Sequence, residues 1–168
     1  MSYPKLEPWD SVQKKASELH LELWGTSEEV SIIAAPIREA RDRRQATSIL
    51  KEIATHGQFK SKSGLTARLR RRTVGKLVSS VAVHSSFTPE AHYLAAANID
   101  KYFSNAIEPW LFELNPNKNN EGLKSRHYLF SPMEYKSKIV LIKFTVKQYH
   151  KAENNLYSIE ALDIVEKK

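Results

Sequence analysis

The sequence contains no cysteine among its 168 residues. Neither a disulfide framework nor a zinc site built on thiolates is therefore available to it. Apolar runs are also short: IVLI at residues 139–142 falls far below the roughly 20 residues that cross a bilayer. Residues 1–15 lack the basic and apolar regions of a signal peptide, and we expect no membrane partner. We expect action in the cytosol, of the producing cell or, after delivery, of a target cell.

Acidic residues are missing from one long stretch, residues 53–89, which we call the acid-free segment. Seven cations occur there: Lys60, Lys62, Arg68, Arg70, Arg71, Arg72 and Lys76. The chain has 26 Lys and Arg against 19 Asp and Glu, so its net charge of +7 resides in this segment. Concentrated positive charge attracts polyanions, and RNA is the partner we expect. The alternative is a solvated surface that only keeps the protein soluble.

Length and composition, with 41% apolar and 27% charged residues, are those of one globular domain. Helical patterns come first. Asp10 is placed to cap one helix, Pro36 to begin a longer one that ends at Gly57, and Thr88 to cap the clearest helix, with Pro89 at its first position. That last helix is expected to run to Pro109.

After residue 113 the pattern changes to the alternation of strands, clearest in KIVLIKFTVKQY at residues 138–149. A second strand, LYSIEALDIVEKK at residues 156–168, is expected to return beside it. Leu162 breaks the strict alternation of this strand, so the faces of its side chains are ambiguous. Helices first and strands last predict an α+β fold, with N-terminal helices packed on a C-terminal, twisted antiparallel sheet of about four strands. Within the single domain 1–168, we expect residues 1–60 to form an N-terminal helical part and residues 65–165 the core.

Metal and cofactor chemistry finds no support in the sequence. The six histidines are widely spaced, and no HExxH pattern or Gly-rich phosphate loop occurs, so we expect neither a metal nor another cofactor. RNA cleavage without metal needs a base for the 2′-hydroxyl, cations for the charge on phosphorus and an acid for the leaving oxygen. His92 on the capped helix, Lys76 and Ser85 are the candidate catalytic residues.

Each candidate has a structural alternative. His92 could be a packing histidine, Lys76 an ordinary exposed lysine and Ser85 a turn-forming serine. If His92 is catalytic, we expect His92→Ala to lower the rate of RNA cleavage by about 10²- to 10⁴-fold and to leave stability nearly unchanged.

Further residues are placed to contact RNA. Arg70, Arg71 and Arg72 would steer the backbone, and Lys143 and Thr145 occupy the polar face of the alternating strand. Tyr128 and Tyr157 could stack on bases. For the lysine the alternative is a solvated edge position, and for the tyrosines it is half-buried packing.

Two stretches carry a resemblance to a known family. LRRRTVGKLVSSVAVHSSFTPEAHYLAAANIDKYFSNA and KIVLIKFTVKQYHKAENNLYSIEALDI resemble a module of phage and mobile-element polyvalent proteins and polymorphic toxins. That module is assigned to the barnase–EndoU–colicin–RelE-like group of ribonucleases, often called the BECR fold. The resemblance covers residues 65–165.

The resemblance implies a compact α+β fold with RNA bound across the exposed face of the sheet. It also implies a metal-independent ribonuclease that leaves 2′,3′-cyclic phosphates, with Lys76, Ser85 and His92 at its polar positions. As a toxin or effector, such an enzyme would need an acidic immunity protein or antitoxin as a second partner. The alternatives are a non-catalytic nucleic-acid-binding or phage accessory module, and an adaptor that docks an acidic protein.

Overall fold

The computed structural model describes residues 35–62, 64–86, 88–108, 123–149 and 157–165. Its helices are α1 (Arg43–His56), α2 (Val74–Leu77), α3 (Ser80–Ser85), α4 (Pro89–Ala97) and α5 (Ile99–Ser104), with a 3₁₀ turn at Arg71–Thr73. Its strands are β1 (Gln58–Lys60), β2 (Thr66–Arg68), β3 (Leu123–Tyr135), β4 (Lys138–Tyr149) and β5 (Tyr157–Val165). The predicted helix capped by Asp10 lies outside the described residues. No helix of the described part is long and apolar enough to cross a membrane.

Helix α1 begins seven residues later than Pro36 predicts. The side chain of Asp42 accepts a hydrogen bond from the backbone N–H of Gln45 at 2.9 Å, which satisfies a donor of the first turn. Gly57 ends the helix at φ 79°, a left-handed conformation that glycine adopts without steric cost. Leu50 and Ile53 bury the inner face of the helix in the core. Helix α1 is thus packed into the same core as the strands.

The predicted helix from Thr88 starts as expected and breaks in the middle. Thr88 Oγ1 accepts from the N–H of Ala91 at 3.0 Å, and Pro89 takes the first position. At Asn98 the helix divides into α4 and α5, because the side-chain oxygen of Asn98 accepts from the N–H of Arg38 at 2.8 Å. The side-chain amide of Asn98 donates to the carbonyl of Arg38 at 2.9 Å. The break therefore anchors the N-terminal part of the described chain.

The strands form one sheet in the order β1-β2-β5-β4-β3. The β3–β4, β4–β5 and β1–β2 pairs are antiparallel, and the β2–β5 pair is parallel. The α+β class is confirmed. The sheet differs in detail from the expected antiparallel one of about four strands: it has five strands and is mixed, because β2 joins β5 in the parallel sense.

The two faces of the sheet have different environments. Val140, Ile142, Phe144 and Val146 of β4 belong to the core that the helices cover. Residues between them point to the opposite face, which we call the outer face.

A β-bulge in strand β5 changes which of its side chains face the core and which face outward. Thr145 pairs with Ala161 and Val146 with Ile159, so Glu160 is an extra residue. The bulge restores Leu162 to the core face and explains why its sequence breaks the alternation.

Most of strand β5 has no strand neighbour on the side where β2 lies. Strand β2 pairs with it only at Tyr157 and Ser158, and helices α2 and α3 pack beside the rest. Ser86, just after α3, accepts from the N–H of Ile164 through Oγ at 3.0 Å. A side chain thus satisfies a backbone donor that an exposed strand edge would leave to solvent or to another chain. Because α2 lies at this edge, Lys76 can reach the outer face.

Candidate nucleic-acid interface

The outer face carries a groove of about 390 Å³, which we call the sheet groove. Its lining combines cations, acids and two uncharged polar side chains from four elements: Lys76, Arg126, Tyr128, Thr145, Lys147, Glu160, Ala161 and Asp163. Register explains this grouping, since Arg126 pairs with Lys147, and Tyr128 pairs with Thr145 in the adjacent row. Lys76 enters from α2 across the edge of β5.

Three cations crowd this groove. The pKa of Lys147 lies below its ordinary value, first because of burial and then because of the positive charges of Arg126 and Lys76. Glu160 acts in the opposite direction without offsetting them. Cations that repel one another are stabilised by an anion placed between them. The groove therefore brings three cations together beside the carboxylates of Glu160 and Asp163.

Lys143 lies beneath the groove rather than at its surface. Its side chain is 0% exposed, with Nζ 3.6 Å from Asp163 Oδ2 and 5.8 Å from the centre of the Tyr128 ring. Burial lowers the pKa of Lys143 to about 8, and Asp163 counteracts this shift. The structure thus encloses Lys143 beneath the groove, next to Asp163 and Tyr128. Thr145 and Tyr128 line the groove itself.

The arginine run of the acid-free segment lies beside the groove. Arg71 and Arg72 are exposed and Arg70 is half-buried. Arg70 and Arg72 act electrostatically on Tyr149, whose hydroxyl donates to Glu160 Oε1 at 2.9 Å. Burial is the main reason that the pKa of Tyr149 rises to about 12, and the two arginines oppose this rise. The run therefore borders the end of the groove where Tyr149 meets Glu160.

His92 lies in the interior. Its side chain is 0% exposed, and Nε2 is 2.6 Å from the carbonyl oxygen of Leu77. A carbonyl accepts only, so Nε2 carries the proton and donates, and Nδ1 accepts from the hydroxyl of Ser86 at 2.5 Å. Burial holds the pKa of His92 below its ordinary value, which favours the neutral ring. These contacts tie α2, the end of α3 and α4 together and favour the packing role over the catalytic one.

The remaining predicted site residues are spread over the fold. Ser85 is the last residue of α3, and its neighbour Ser86 is the serine that contacts His92. Tyr157 is half-buried and belongs to the core side, where its ring meets that of His127 edge-on at 5.2 Å between centres. The structure thus groups Lys76, Tyr128, Thr145 and Lys143 at the sheet groove, and it places His92 and Tyr157 elsewhere.

The sequence of the chain also matches a protein family. Residues 38–157, most of the chain, match the family model described as Large polyvalent protein-associated domain 3. The chain belongs to this family. No curated protein and no solved structure matches the chain. This match confirms one part of the resemblance, the association with polyvalent proteins. It does not bear on the ribonuclease group.

The residues matched by the family model, 38–157, begin and end at positions held by contacts in the structure. The match begins at Arg38, whose guanidinium donates to Asp100 through two hydrogen bonds of 2.7 and 3.0 Å. It ends at Tyr157, the first residue of β5. Lys76, Arg126 and Lys147 lie within the matched span, and Glu160 and Asp163 lie beyond it. The cations of the groove thus belong to the part of the chain that the family model matches.

Two groove cations of this domain were not predicted, although the sequence carries a signal for them. Lys147 is in phase with Lys143 and Thr145 on β4, and Arg126 is in phase with Tyr128 on β3. The alternation of β4 already places Lys147 on the polar face, and the same alternation on β3 places Arg126 beside it. No such signal exists for Glu160, because the bulge that turns it to the outer face depends on pairing with β4.

Proposed function

We propose that this polyvalent protein-associated domain binds RNA along the sheet groove and cleaves it without a metal ion, by attack of the 2′-hydroxyl. The crowding of Lys76, Arg126 and Lys147 in one groove carries the proposal. Phosphate backbones supply anions at regular spacing, and lysine and arginine are the side chains that bind them. Tyr128 lines the groove beside these cations, but its side chain is only 2% exposed, so the cations rather than a stacking ring carry the proposed contact. A barnase–EndoU–colicin–RelE-like fold remains part of the same proposal.

The groove holds groups for the cleavage step. A base must accept the 2′-hydroxyl proton, and cations must stabilise the charge that builds on phosphorus. We assign the first role to the carboxylate of Glu160, which lies in the groove and accepts from Tyr149. The second role falls to Lys76, Arg126 and Lys147. The bond from phosphorus to the 5′ oxygen then breaks, and the leaving oxygen takes a proton from the ammonium of Lys147, whose pKa is lowered in the groove. The products therefore carry 2′,3′-cyclic phosphate ends.

A non-catalytic nucleic-acid-binding module is the second candidate. The burial of His92 favours it, because the histidine that matches the pattern of the ribonuclease group is closed within the fold. Binding and cleaving modules share a salt-dependent affinity for RNA, so a cleavage assay separates them. In either case, an acidic immunity protein or antitoxin that covers the groove would compete with RNA.

Cleavage should survive chelation. Among the described residues no three His, Asp or Glu side chains are grouped as ligands for an ion, and the proposed chemistry uses none. We expect total RNA, incubated with the full chain in excess EDTA, to be cut to fragments with cyclic phosphate ends. Glu160→Gln should lower the rate by about 10²- to 10⁴-fold and still bind RNA.

Two results of that assay would contradict the proposal. Loss of cleavage in EDTA, restored by magnesium or zinc, would show a metal-dependent reaction. Salt-dependent RNA binding without cleavage in the native chain would establish the non-catalytic module instead.

The arginine run should contribute to the salt dependence of RNA affinity. We expect Arg70, Arg71 and Arg72 replaced together by alanine to flatten the slope of log affinity against log salt, since each single-strand phosphate contact adds about 0.7. Arg41, Arg43 and Arg44 of the α1 region are exposed and form the matched control, because their loss changes net charge equally. Equal slopes in the two triple variants would mean that the run at residues 70–72 is a solvated surface.

A further inference from the structure

A second polar cluster lies on the core side of strand β3, away from the sheet groove. His127 Nδ1 is 2.7 Å from Glu108 Oε1, and His127 Nε2 is 2.8 Å from Ser125 Oγ. All three side chains are largely enclosed: Ser125 and His127 are 4% and 7% exposed, and the side chain of Glu108 is 13% exposed. Ser125 and His127 are two residues apart in sequence, but Glu108 is brought to them only by the fold, so sequence spacing does not reveal the cluster.

Backbone topology produces this arrangement. Ser125 and His127 are two residues apart on β3 and therefore share one face of the sheet. Ile107 forms an antiparallel bridge with Phe130 on the outer edge of β3, which brings the next residue, Glu108, beside His127. A strand and a bridged segment thus fix all three side chains relative to one another.

Proton positions follow from the chemistry of the partners. An ionised carboxylate accepts only, so Nδ1 of His127 carries a proton and donates it to Glu108. In the neutral ring Nε2 is then an acceptor, and the hydroxyl of Ser125 donates to it. In the charged ring Nε2 donates to Ser125, whose hydroxyl can turn to Gln148 Oε1 at 3.3 Å. The neutral state polarises the serine hydroxyl toward loss of its proton.

We propose that Ser125 is a nucleophile activated by His127 and Glu108, and that this cluster forms a second chemical site for carboxylic esters or thioesters. Nucleophile, base and orienting carboxylate stand in hydrogen-bond contact in the order that acyl transfer requires. Enclosure strengthens the contacts between these groups, since little water competes for them. The proposal is independent of RNA binding and rests on different residues.

Each atom of the reaction has a destination. Ser125 Oγ forms a bond to the acyl carbon while its proton moves to Nε2 of His127. The bond from carbon to the alcohol or thiol then breaks, and the leaving group takes that proton. Water, deprotonated by His127, releases the acid and returns Ser125 to its hydroxyl form. Glu108 holds the Nδ1 proton and stabilises the imidazolium formed in each half of the cycle.

A fluorophosphonate probe tests the site in the full chain, because it reacts with activated serines whatever their natural substrate. We expect one probe per chain, mapped by peptide mass to Ser125, with fluoride released. Ser131 is a buried serine on the same strand and should stay unlabelled in the native chain. Ser131→Ala is therefore the matched control, which should leave the labelling at Ser125 unchanged. The labelling rate at Ser125 should fall about 10²- to 10⁴-fold in His127→Ala.

Glu108→Gln isolates the positioning role of the carboxylate. Glutamine can still accept from Nδ1 and lacks the charge, so we expect a lower labelling rate in a variant with an unchanged urea midpoint. Absence of label at Ser125 in the native chain would overturn the proposal and show a structural hydrogen-bond network. Equal labelling rates in native and folded His127→Ala protein would overturn it too, because the reactivity of the serine would then not depend on the histidine.

Discussion

Replacing His92 by alanine should lower the free energy of unfolding by about 2–4 kcal/mol. The variant leaves the carbonyl of Leu77 and the hydroxyl of Ser86 without their buried partner, and it opens a cavity where the ring packs. Urea denaturation followed by circular dichroism measures the change. Because Ser86 also accepts from Ile164, loosening should extend to the edge of β5.

His84→Ala is the matched control. His84 is exposed, and its Nδ1 donates to the carbonyl of Ser80 within the same helix. Its removal should change stability by less than about 0.5 kcal/mol. An unchanged midpoint in His92→Ala, together with a 100-fold or larger loss of cleavage, would instead restore the catalytic role that the sequence suggests.

The stability that depends on His92 should also respond to pH. Burial lowers the pKa of the folded-state ring from 6.5, and the charge of Asp163 opposes this shift. Below pH 6.5 the unfolded chain binds a proton that the folded chain refuses, so stability decreases as pH falls from 6.5 toward the folded-state pKa. Above 6.5 the ring is neutral in both states and contributes no slope. Comparing urea midpoints of the native chain and His92→Ala from pH 7.5 to 5.5 measures this difference, which a pH-independent difference would contradict.

Removing the three groove cations should weaken RNA binding by about 100-fold near 0.1 M salt. Each phosphate contact contributes about 0.7 to the salt slope, so Lys76, Arg126 and Lys147 together contribute about 2. We expect the triple alanine variant to show both the lower affinity and the flatter slope in a fluorescence anisotropy titration with single-stranded RNA.

The control for this variant removes the same charge elsewhere. Arg44, Lys51 and Lys60 are exposed, and none of them lines the groove. Their alanine variant should keep most of the affinity. If both triple variants bind RNA equally, net charge rather than the groove determines binding.

Local chemistry accounts for what the sequence predicted well. Thr88 and Pro89 mark a helix start through contacts within four residues, and the alternation of β4 separates core from outer face without reference to distant residues. Lys143 and Thr145 were therefore placed on the correct face. Asn98 shows the limit, because the helix breaks there in response to Arg38, 60 residues away in sequence.

The same limit applies to the candidate site. A histidine on a capped helix can face solvent or the core, and partners from α2 and from the residue after α3 decide the matter for His92. The side of the sheet that Glu160 occupies depends on a bulge opposite β4. The acid-free segment was visible at once as charge, whereas its position beside Tyr149 required the sheet.

The parallel pairing of β2 with β5 has a consequence for synthesis on the ribosome. Ala67 finds its neighbour Tyr157 only after almost all of the described chain has been made. Helices and the β3–β4 hairpin can form earlier from local contacts, but one wall of the groove consists of Glu160, Ala161 and Asp163. A nascent chain therefore carries the acid-free segment without the completed groove, and the proposed binding surface is complete only after β5 inserts between β2 and β4.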